Sequence, residues 1–305
     1  MDAALALYFP GVDGIEAVAV LAKAMTYASC FVAAGGVFFL RLFQSHLGDS
    51  EQAAIRHTCI VAAALCIGLS AMRIAIMNCQ LSGEWSDAFD ARMTRMVLAS
   101  AEGLSTEWRV VGLALLLTMR YPRVRNGFLW LPLLGGLMAT LSFSVVGHAA
   151  ALAAASGAAA QCLISTHLLA VAFWLGALGP LHRLSKQKDL ARVAALMLEF
   201  GKMASIVVAV LIAAGVLLLW QLLGKPEELW QSVYGHLILA KLAGVALLLS
   251  LAGINKLRLT PLLRTGDTSA IVVLQKTIVA EMVVAGLILL STAALTTVTG
   301  PPVLD

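Results

Sequence analysis

Two histidines, His148 and His167, lie in consecutive apolar stretches that are separated by one turn signal, Ser156-Gly157. Serine and glycine together are typical of turns, and the midpoint between the two histidines falls directly after Gly157. In an antiparallel helical hairpin, residues that are equidistant from the turn lie at the same depth. Nine or ten residues at about 1.5 Å each predict that both imidazoles lie roughly 14 Å below the outer end of the hairpin.

Two neutral imidazoles at one depth are suited to bind a transition metal, above all copper or iron. The alternative is that each histidine hydrogen-bonds a neighbouring helix. We favour the metal site because the two residues match in depth. Trp174 lies seven residues after His167 on the same helical face and is interpreted as a packing residue. Gly176 and Gly179 predict close helix packing nearby.

A second group of candidate ligands carries sulfur. Thioethers and thiolates favour Cu(I) over harder ions, which makes the group a possible copper relay at the outer face. Methionine is also common filler in apolar helices, and this alternative remains open. The group comprises Met72, Met77, Cys79, Met93 and Met96.

Three further polar residues lie in the last two apolar stretches. His236, near the outer end, is a candidate third nitrogen ligand, although a single histidine there is equally typical of an interfacial hydrogen bond. Lys241 and Glu281 lie deeper, where an unpaired charge costs several kcal/mol. We predict that they form an intramembrane charge pair, or that they pair with polar groups such as Asn255.

These residues are embedded in a very apolar chain of 305 residues, of which 60% are hydrophobic and 12% charged. The mean hydropathy is +0.91, whereas a soluble domain has about 25% charged residues. This composition excludes a soluble enzyme, a nucleic-acid-binding domain and a disordered protein. Because the apolar runs are continuous rather than alternating, an all-α polytopic membrane protein is predicted and not a β-barrel.

The apolar runs predict a single transmembrane domain, residues 1–305, with a bundle of about eight helices. The segment between the second and third spans predicts a short surface helix in its second half. The predicted spans are roughly 16–43, 54–78, 104–120, 127–154, 159–181, 200–223, 231–256 and 276–299.

Lysine and arginine are distributed unevenly between the connections, which predicts the orientation. One side holds most of them, and the other holds only Arg92, Arg95 and Lys225. The basic side should be cytoplasmic, so both termini lie outside, as an even number of spans requires. We expect a reporter fused to the C-terminus to behave as external, and a cytoplasmic signal would contradict both the count and the orientation.

The spacing of the cysteines and glycines predicts no disulfide framework, zinc site or phosphate-binding loop. The five cysteines are an odd number without a CxxC spacing, so they predict neither a disulfide framework nor a zinc site. Four of them lie in apolar runs, where cysteine behaves as a small hydrophobe. No glycine-rich phosphate loop is present, so ATP-driven transport by this chain alone is not expected. We expect that the protein is not an enzyme.

The sequence resembles the CopD copper-resistance family of bacterial inner-membrane proteins. The resemblance rests on LSFSVVGHAA around His148, on STHLLAVAFWLGALGPL around His167, and on YGHLILAKLAGVALLLSLAGINKLRLTP with Lys241 and Asn255. It extends to the final span with Glu281 and covers essentially the whole chain. In the first half, it is carried mainly by hydropathy and by EWR at 107–109.

The resemblance implies a role in moving copper, as Cu(I) or Cu(II), across the inner membrane, from periplasm to cytoplasm. It implies His148 and His167 as the copper site and a separate periplasmic copper carrier of the CopC type as a partner. The alternatives are a membrane b-type haem protein with the same two histidines as axial ligands, and a scaffold that receives copper without transporting it. No nucleic-acid partner is expected, and the oligomeric state is left open.

Overall fold

The chain forms helices and short connections throughout the residues described by this computed structural model, which are 13–121, 129–187, 189–222, 230 and 233–298. Side chains are described in these ranges except at 147–156, 222, 233 and 234. The helices are α1 (Gly14–Phe43), α2 (Asp49–Ser82), α3 (Ala91–Leu98), α4 (Ala101–Leu117), α5 (Trp130–Leu141), α6 (Gly147–Leu184), α7 (Leu190–Leu222), α8 (Val233–Ile254), α9 (Thr260–Arg264) and α10 (Ser269–Leu295).

Six of these helices are long and apolar enough to cross a membrane: α1, α2, α6 from Gly157 onward, α7, α8 and α10. The predicted fold class, an all-α polytopic membrane protein, is therefore confirmed. The third and fourth predicted spans correspond to shorter helices, α4 and the segment Trp130–Val145. The count of eight spans and the position of the termini remain predictions.

Helix α1 lies at the centre of the bundle, where it packs against α2, α5, α6 and α10. From Cys30 to Leu40 nearly every side chain is buried, including Phe31, Val37 and Phe39. By contrast, α7 leaves large apolar side chains such as Ile206 and Trp220 exposed. An apolar face of this kind is suited to lipid rather than to water, which places α7 at the periphery.

Polar residues determine where two of the helices begin. The Asp13 carboxylate accepts a hydrogen bond from the Glu16 backbone N–H at the start of α1. Asp90 caps α3 by accepting from the N–H groups of Arg92 and Met93. Both are N-caps, which satisfy backbone donors that a helix leaves free. The short helix that was predicted in the second half of the segment 82–103 is thus present as α3.

The chain between α5 and the long part of α6 does not form the symmetric hairpin predicted about Ser156-Gly157. Gly157 interrupts the helix at φ +70°, as a turn glycine does. However, the Gln161 side-chain amide donates to the Ser144 hydroxyl at 2.8 Å. Residues 144 and 161 therefore lie side by side, and the chain between them contains the extended residue Val146 and the helical residues 147–156 in addition to Gly157. Because the hairpin is not symmetric about Gly157, the equal number of residues from Gly157 to His148 and to His167 does not indicate that the two histidines lie at the same depth.

Helices α1 and α6 cross at two glycines. A Cβ atom at Gly176 would lie 2.3 Å from the Cα of Gly35, and one at Gly35 would lie 1.8 Å from the Ala172 carbonyl oxygen. Such close approach is typical of membrane helices that pack through small residues. The predicted close packing is thus confirmed at Gly176. At Gly179 no neighbouring atom lies within 4 Å of an added Cβ.

We expect Gly176→Ala to lower the melting temperature of the purified protein by roughly 5 °C or more, because the methyl group must push two backbones apart. The measurement is thermal unfolding in detergent. Gly179→Ala is the matched control, since it adds the same methyl group three residues away in open space. Equal melting temperatures for the two variants would contradict a tight crossing at Gly176.

Candidate functional site

A cavity of about 200 Å³ lies in the half of the bundle that contains the start of α1 and the end of α10. Its wall is contributed by α1, α2, α4, α6, α8 and α10 together with Phe143. We call it the outer cavity, following the predicted orientation. The titratable side chains that line it are Lys23, Tyr27, Arg73, Glu102, His167 and Lys241.

The outer cavity contains more positive than negative groups. Arg73 pairs with Glu102 at 3.6 Å, and the Lys23 ammonium group donates to the Thr296 carbonyl oxygen at 2.9 Å. Lys241 is partly buried and has no carboxylate within ion-pair distance among the described residues. Glu102 is the only carboxylate in the described wall, so two cations remain unneutralised.

His167 is the imidazole of this cavity. The backbone of Leu211 on α7 is a hydrogen-bonding neighbour of the ring, and the ring lies 3.7 Å from the Cβ position of Gly215. The Nδ1 atom is buried and has no hydrogen-bond partner among the described atoms. A neutral imidazole keeps one nitrogen lone pair for a ligand, so Nδ1 is the nitrogen available to hold a metal ion.

The other two histidines proposed as ligands are not joined to His167 by any described contact. The backbone at 148 lies in the first turn of α6, but the side chain of His148 lies outside the described residues. His236 is exposed on α8, and its Nε2 atom lies 3.1 Å from the Trp230 carbonyl oxygen. It is not part of the described wall of the outer cavity.

The sulfur ligands predicted at the end of α2 and on α3 are found in different environments. The side chain of Met72 is 43% exposed and that of Met96 is 58% exposed. Cys79 is buried, and its thiol faces the Trp85 carbonyl oxygen at 3.9 Å. Met77 and Met93 are half-buried. The described residues contain no cluster of three or more histidine, cysteine or acidic side chains that could hold a metal.

A second cavity, of about 260 Å³, lies toward the opposite end of the bundle between α6, α7, α8 and α10. Glu281, which is only 3% exposed, accepts a hydrogen bond from the Asn255 amide at 2.5 Å. Trp174 is a further polar neighbour of this carboxylate. Lys256 also lines the cavity and donates to the Ser205 hydroxyl. We call this the inner cavity.

The backbone around Asn255 departs from a regular α-helix. Residues Asn255–Leu259 form a π-turn between α8 and α9. Pro261 follows directly and lacks the N–H group that a regular helix would use, while the Thr260 hydroxyl donates to the Asn255 carbonyl oxygen at 2.8 Å. Single π-turns in helices often occur at functional sites. Here the turn presents Asn255 and Lys256 to one cavity.

The predicted pair of Lys241 and Glu281 is not formed. Lys241 lines the outer cavity and Glu281 the inner one. Asn255, which contacts Glu281, is 14 residues from Lys241 along α8 and its π-turn, or about 21 Å at the helical rise. Of the two partners that the sequence suggested for Glu281, the structure contains Asn255.

The two cavities lie in series along α6 and α10. On α6, His167 belongs to the outer cavity, and Trp174, seven residues or about 10 Å further along, is the outermost residue of this helix in the inner one. On α10, Ile288 lines the outer cavity and Glu281 lines the inner one. Trp174 is 5% exposed and lies along α6 between Val171, which lines the outer cavity, and Leu178, which lines the inner one.

Sequence reasoning missed several residues of the outer cavity. Lys23 lies in the first predicted span, and the rule that ionisable groups inside a membrane are functional candidates would have identified it. Sequence reasoning also missed Arg109, which lies in the third predicted span but not in the described wall of the outer cavity. It is 1% exposed and donates to the hydroxyl groups of Ser105 and Ser142. Glu102 lies just outside the predicted span and gave no such signal.

A bundle of apolar helices with two cavities in series, each with ionisable side chains in its wall, defines a multi-pass membrane protein with ionisable groups in its interior. Residues 194–295 match the family model of copper resistance protein D, CopD. Residues 14–158 match the model of the copper resistance protein D-like N-terminal domain. The chain therefore belongs to the copper resistance protein D family, and this membership supports a role in copper resistance.

Most of the candidate residues fall within one of the two matched ranges. The range 194–295 contains Lys241, Asn255 and Glu281, and the range 14–158 contains Lys23, Arg73, Glu102 and His148. His167 lies between the two ranges. No curated protein and no solved structure matches the chain.

Proposed function

We propose that this protein moves copper across the bacterial inner membrane, from the periplasm to the cytoplasm, and that it does so without enzymatic activity. The observation that carries the proposal is His167, whose side chain lines a cavity inside the bundle of a CopD-family protein and whose Nδ1 atom has no hydrogen-bond partner among the described atoms. Copper is a metal that imidazole binds well. His148 is proposed as the second ligand, on the family resemblance alone.

The series of cavities supports movement rather than storage. Copper bound near His167 would need a second polar site to continue inward, and Glu281 with Asn255 supplies oxygen ligands about two helical turns deeper. The buried Trp174 side chain lies on α6 between the two cavities and is proposed to keep one side closed while the other is occupied. A separate periplasmic carrier of the CopC type is proposed to deliver copper at the outer face.

Copper uptake into proteoliposomes tests this proposal. We expect wild-type protein to import copper and the double variant His148→Ala/His167→Ala to be inactive. Uptake equal to that of empty liposomes would refute transport, and copper binding without uptake would favour a receiving scaffold. A Soret absorption band in the purified protein would favour the haem alternative instead.

We expect Lys241→Met to raise the affinity of the outer cavity for copper by about tenfold. Lys241 acts electrostatically on His167, so its positive charge opposes a cation bound there, and removing about 1.4 kcal/mol of repulsion raises the affinity tenfold. Competitive titration against a chromophoric Cu(I) chelator measures the change. Lys276→Met, at an exposed position of α10, is the control. Weaker binding by Lys241→Met would contradict a repulsive role.

A further inference from the structure

Two thiols face each other in the interior of the bundle. Cys30 on α1 and Cys66 on α2 are both 0% exposed, and their side chains are hydrogen-bonding neighbours. The Cys66 thiol also lies 3.6 Å from the Thr26 carbonyl oxygen. Both cysteines are free thiols. They lie directly behind the wall of the outer cavity, to which Tyr27 and Phe31, the neighbours of Cys30 on α1, contribute.

The thiols lie beside a buried arginine, Arg109, which forms no ion pair among the described residues and on which the Glu102 carboxylate acts only at longer range. The Arg109 guanidinium interacts electrostatically with both cysteines and lies 4.2 Å from the centroid of the Phe143 ring. Its hydrogen-bond partners are serine hydroxyl groups. No carboxylate lies within ion-pair distance of it among the described residues. A guanidinium in the membrane interior is costly unless it is paired, so this position favours an anion.

A third observation concerns Ser70, which is one turn after Cys66 on α2. Its hydroxyl group is fully buried and has no hydrogen-bond partner among the described atoms, although it lies next to the Cys66 thiol. Buried hydroxyl groups are normally satisfied. A thiolate at Cys66 is a stronger acceptor than a thiol and would supply the missing partner.

We propose that Cys30 and Cys66 form a two-coordinate Cu(I) site. Binding forms two Cu–S bonds and breaks two S–H bonds, and the two protons leave to the aqueous medium without any change in oxidation state. One Cu(I) and two thiolates carry a net charge of −1, which neutralises Arg109. Thiolates are soft ligands that suit Cu(I), zinc and iron–sulfur clusters. Structural zinc requires four ligands, whereas Cu(I) can be held in a linear site by two thiolates alone.

The choice of copper as the metal at this site rests on the proposed function. The presence of the site does not require that the protein transports copper. Within the proposed function, it names Cu(I) as the form of copper that enters the bundle. It is also distinct from the site at His167, because neither cysteine is among the described residues that line the outer cavity. Tyr27 and Phe143, which pack edge to face at 4.8 Å, do line that cavity.

Copper stoichiometry and X-ray absorption on the purified full-length protein, loaded anaerobically with Cu(I), test the site. We expect that one of the copper ions held by the wild type has two sulfur neighbours, and that Cys30→Ser/Cys66→Ser binds one copper equivalent fewer and loses those sulfur neighbours. Cys59→Ser is the matched control, because Cys59 is on the same helix as Cys66 and equally buried. Unchanged stoichiometry in the double variant would refute the site.

A second variant keeps the test informative if Cys30→Ser/Cys66→Ser does not fold. Cys59→Ser/Cys79→Ser/Cys162→Ser retains only the proposed pair, and its copper should keep two sulfur neighbours. A spectrum with nitrogen and oxygen neighbours alone would overturn the proposal. The uptake assay is a separate readout: sulfur-bound copper without uptake refutes transport and leaves the site, and uptake without sulfur coordination refutes the site and leaves transport.

Discussion

Replacing His167 with alanine should lower copper uptake into proteoliposomes by at least about tenfold. The His167 ring is the only imidazole in the described wall of the outer cavity, and its Nδ1 atom has no competing hydrogen bond. Loss of a residue that merely orients a metal ligand commonly costs roughly 10–100-fold in affinity or activity, so loss of the ligand itself should cost no less. Uptake of radioactive copper at several concentrations measures the effect.

The control is His57→Ala, because His57 is exposed on α2 and does not line either cavity. Copper binding should also weaken as the pH falls, since the metal competes with the proton for the imidazole. This pH dependence should be smaller in His167→Ala than in the wild type. Normal uptake by His167→Ala would remove His167 from the transport path.

Replacing Glu281 with glutamine should lower copper uptake by about tenfold while leaving copper affinity at the outer cavity unchanged. Glu281 is the only carboxylate in the described wall of the inner cavity, so the substitution removes the one negative charge that would stabilise a cation there. Glutamine retains an oxygen atom that accepts the Asn255 hydrogen bond. The melting temperature should consequently change little.

Glu199→Gln is the matched control, because its side chain is 44% exposed and forms an ion pair with Lys202 at the protein surface. Uptake and chelator competition are measured on the same preparations of each variant. If Glu281→Gln transports normally, the inner cavity is not on the copper path. A large loss of thermal stability would instead indicate that the carboxylate has a structural role that the Asn255 contact does not explain.

Sequence reasoning succeeded where the signal is local. The runs of apolar residues predicted most helices within several residues, and the short surface helix α3 was placed in the correct half of its segment. Gly157 was recognised as a break and Gly176 as a point of close contact, and the structure confirms both. These features depend on composition, helix length and backbone conformation, which neighbouring residues largely determine.

Sequence reasoning failed where two segments had to be aligned. The depth of His148 relative to His167 was calculated for a symmetric hairpin, but Ser144 and Gln161 lie side by side instead. Lys241 and Glu281 were paired because both are charges in adjacent spans. The residue types alone do not indicate how far α8 is shifted along its axis relative to α10. In the structure, Lys241 and Glu281 line different cavities.

The amino-acid sequence by itself determined the class of protein, the approximate spans, the basic side and the family resemblance. Only the tertiary structure decided which polar groups meet: His167 with Lys241, Glu281 with Asn255, and Cys30 with Cys66. The physical reason is that lipid and neighbouring helices are equally apolar, so periodicity does not reveal which face of a span is buried. Helix rotation and register depend on packing between distant segments, such as the crossing of Gly35 and Gly176.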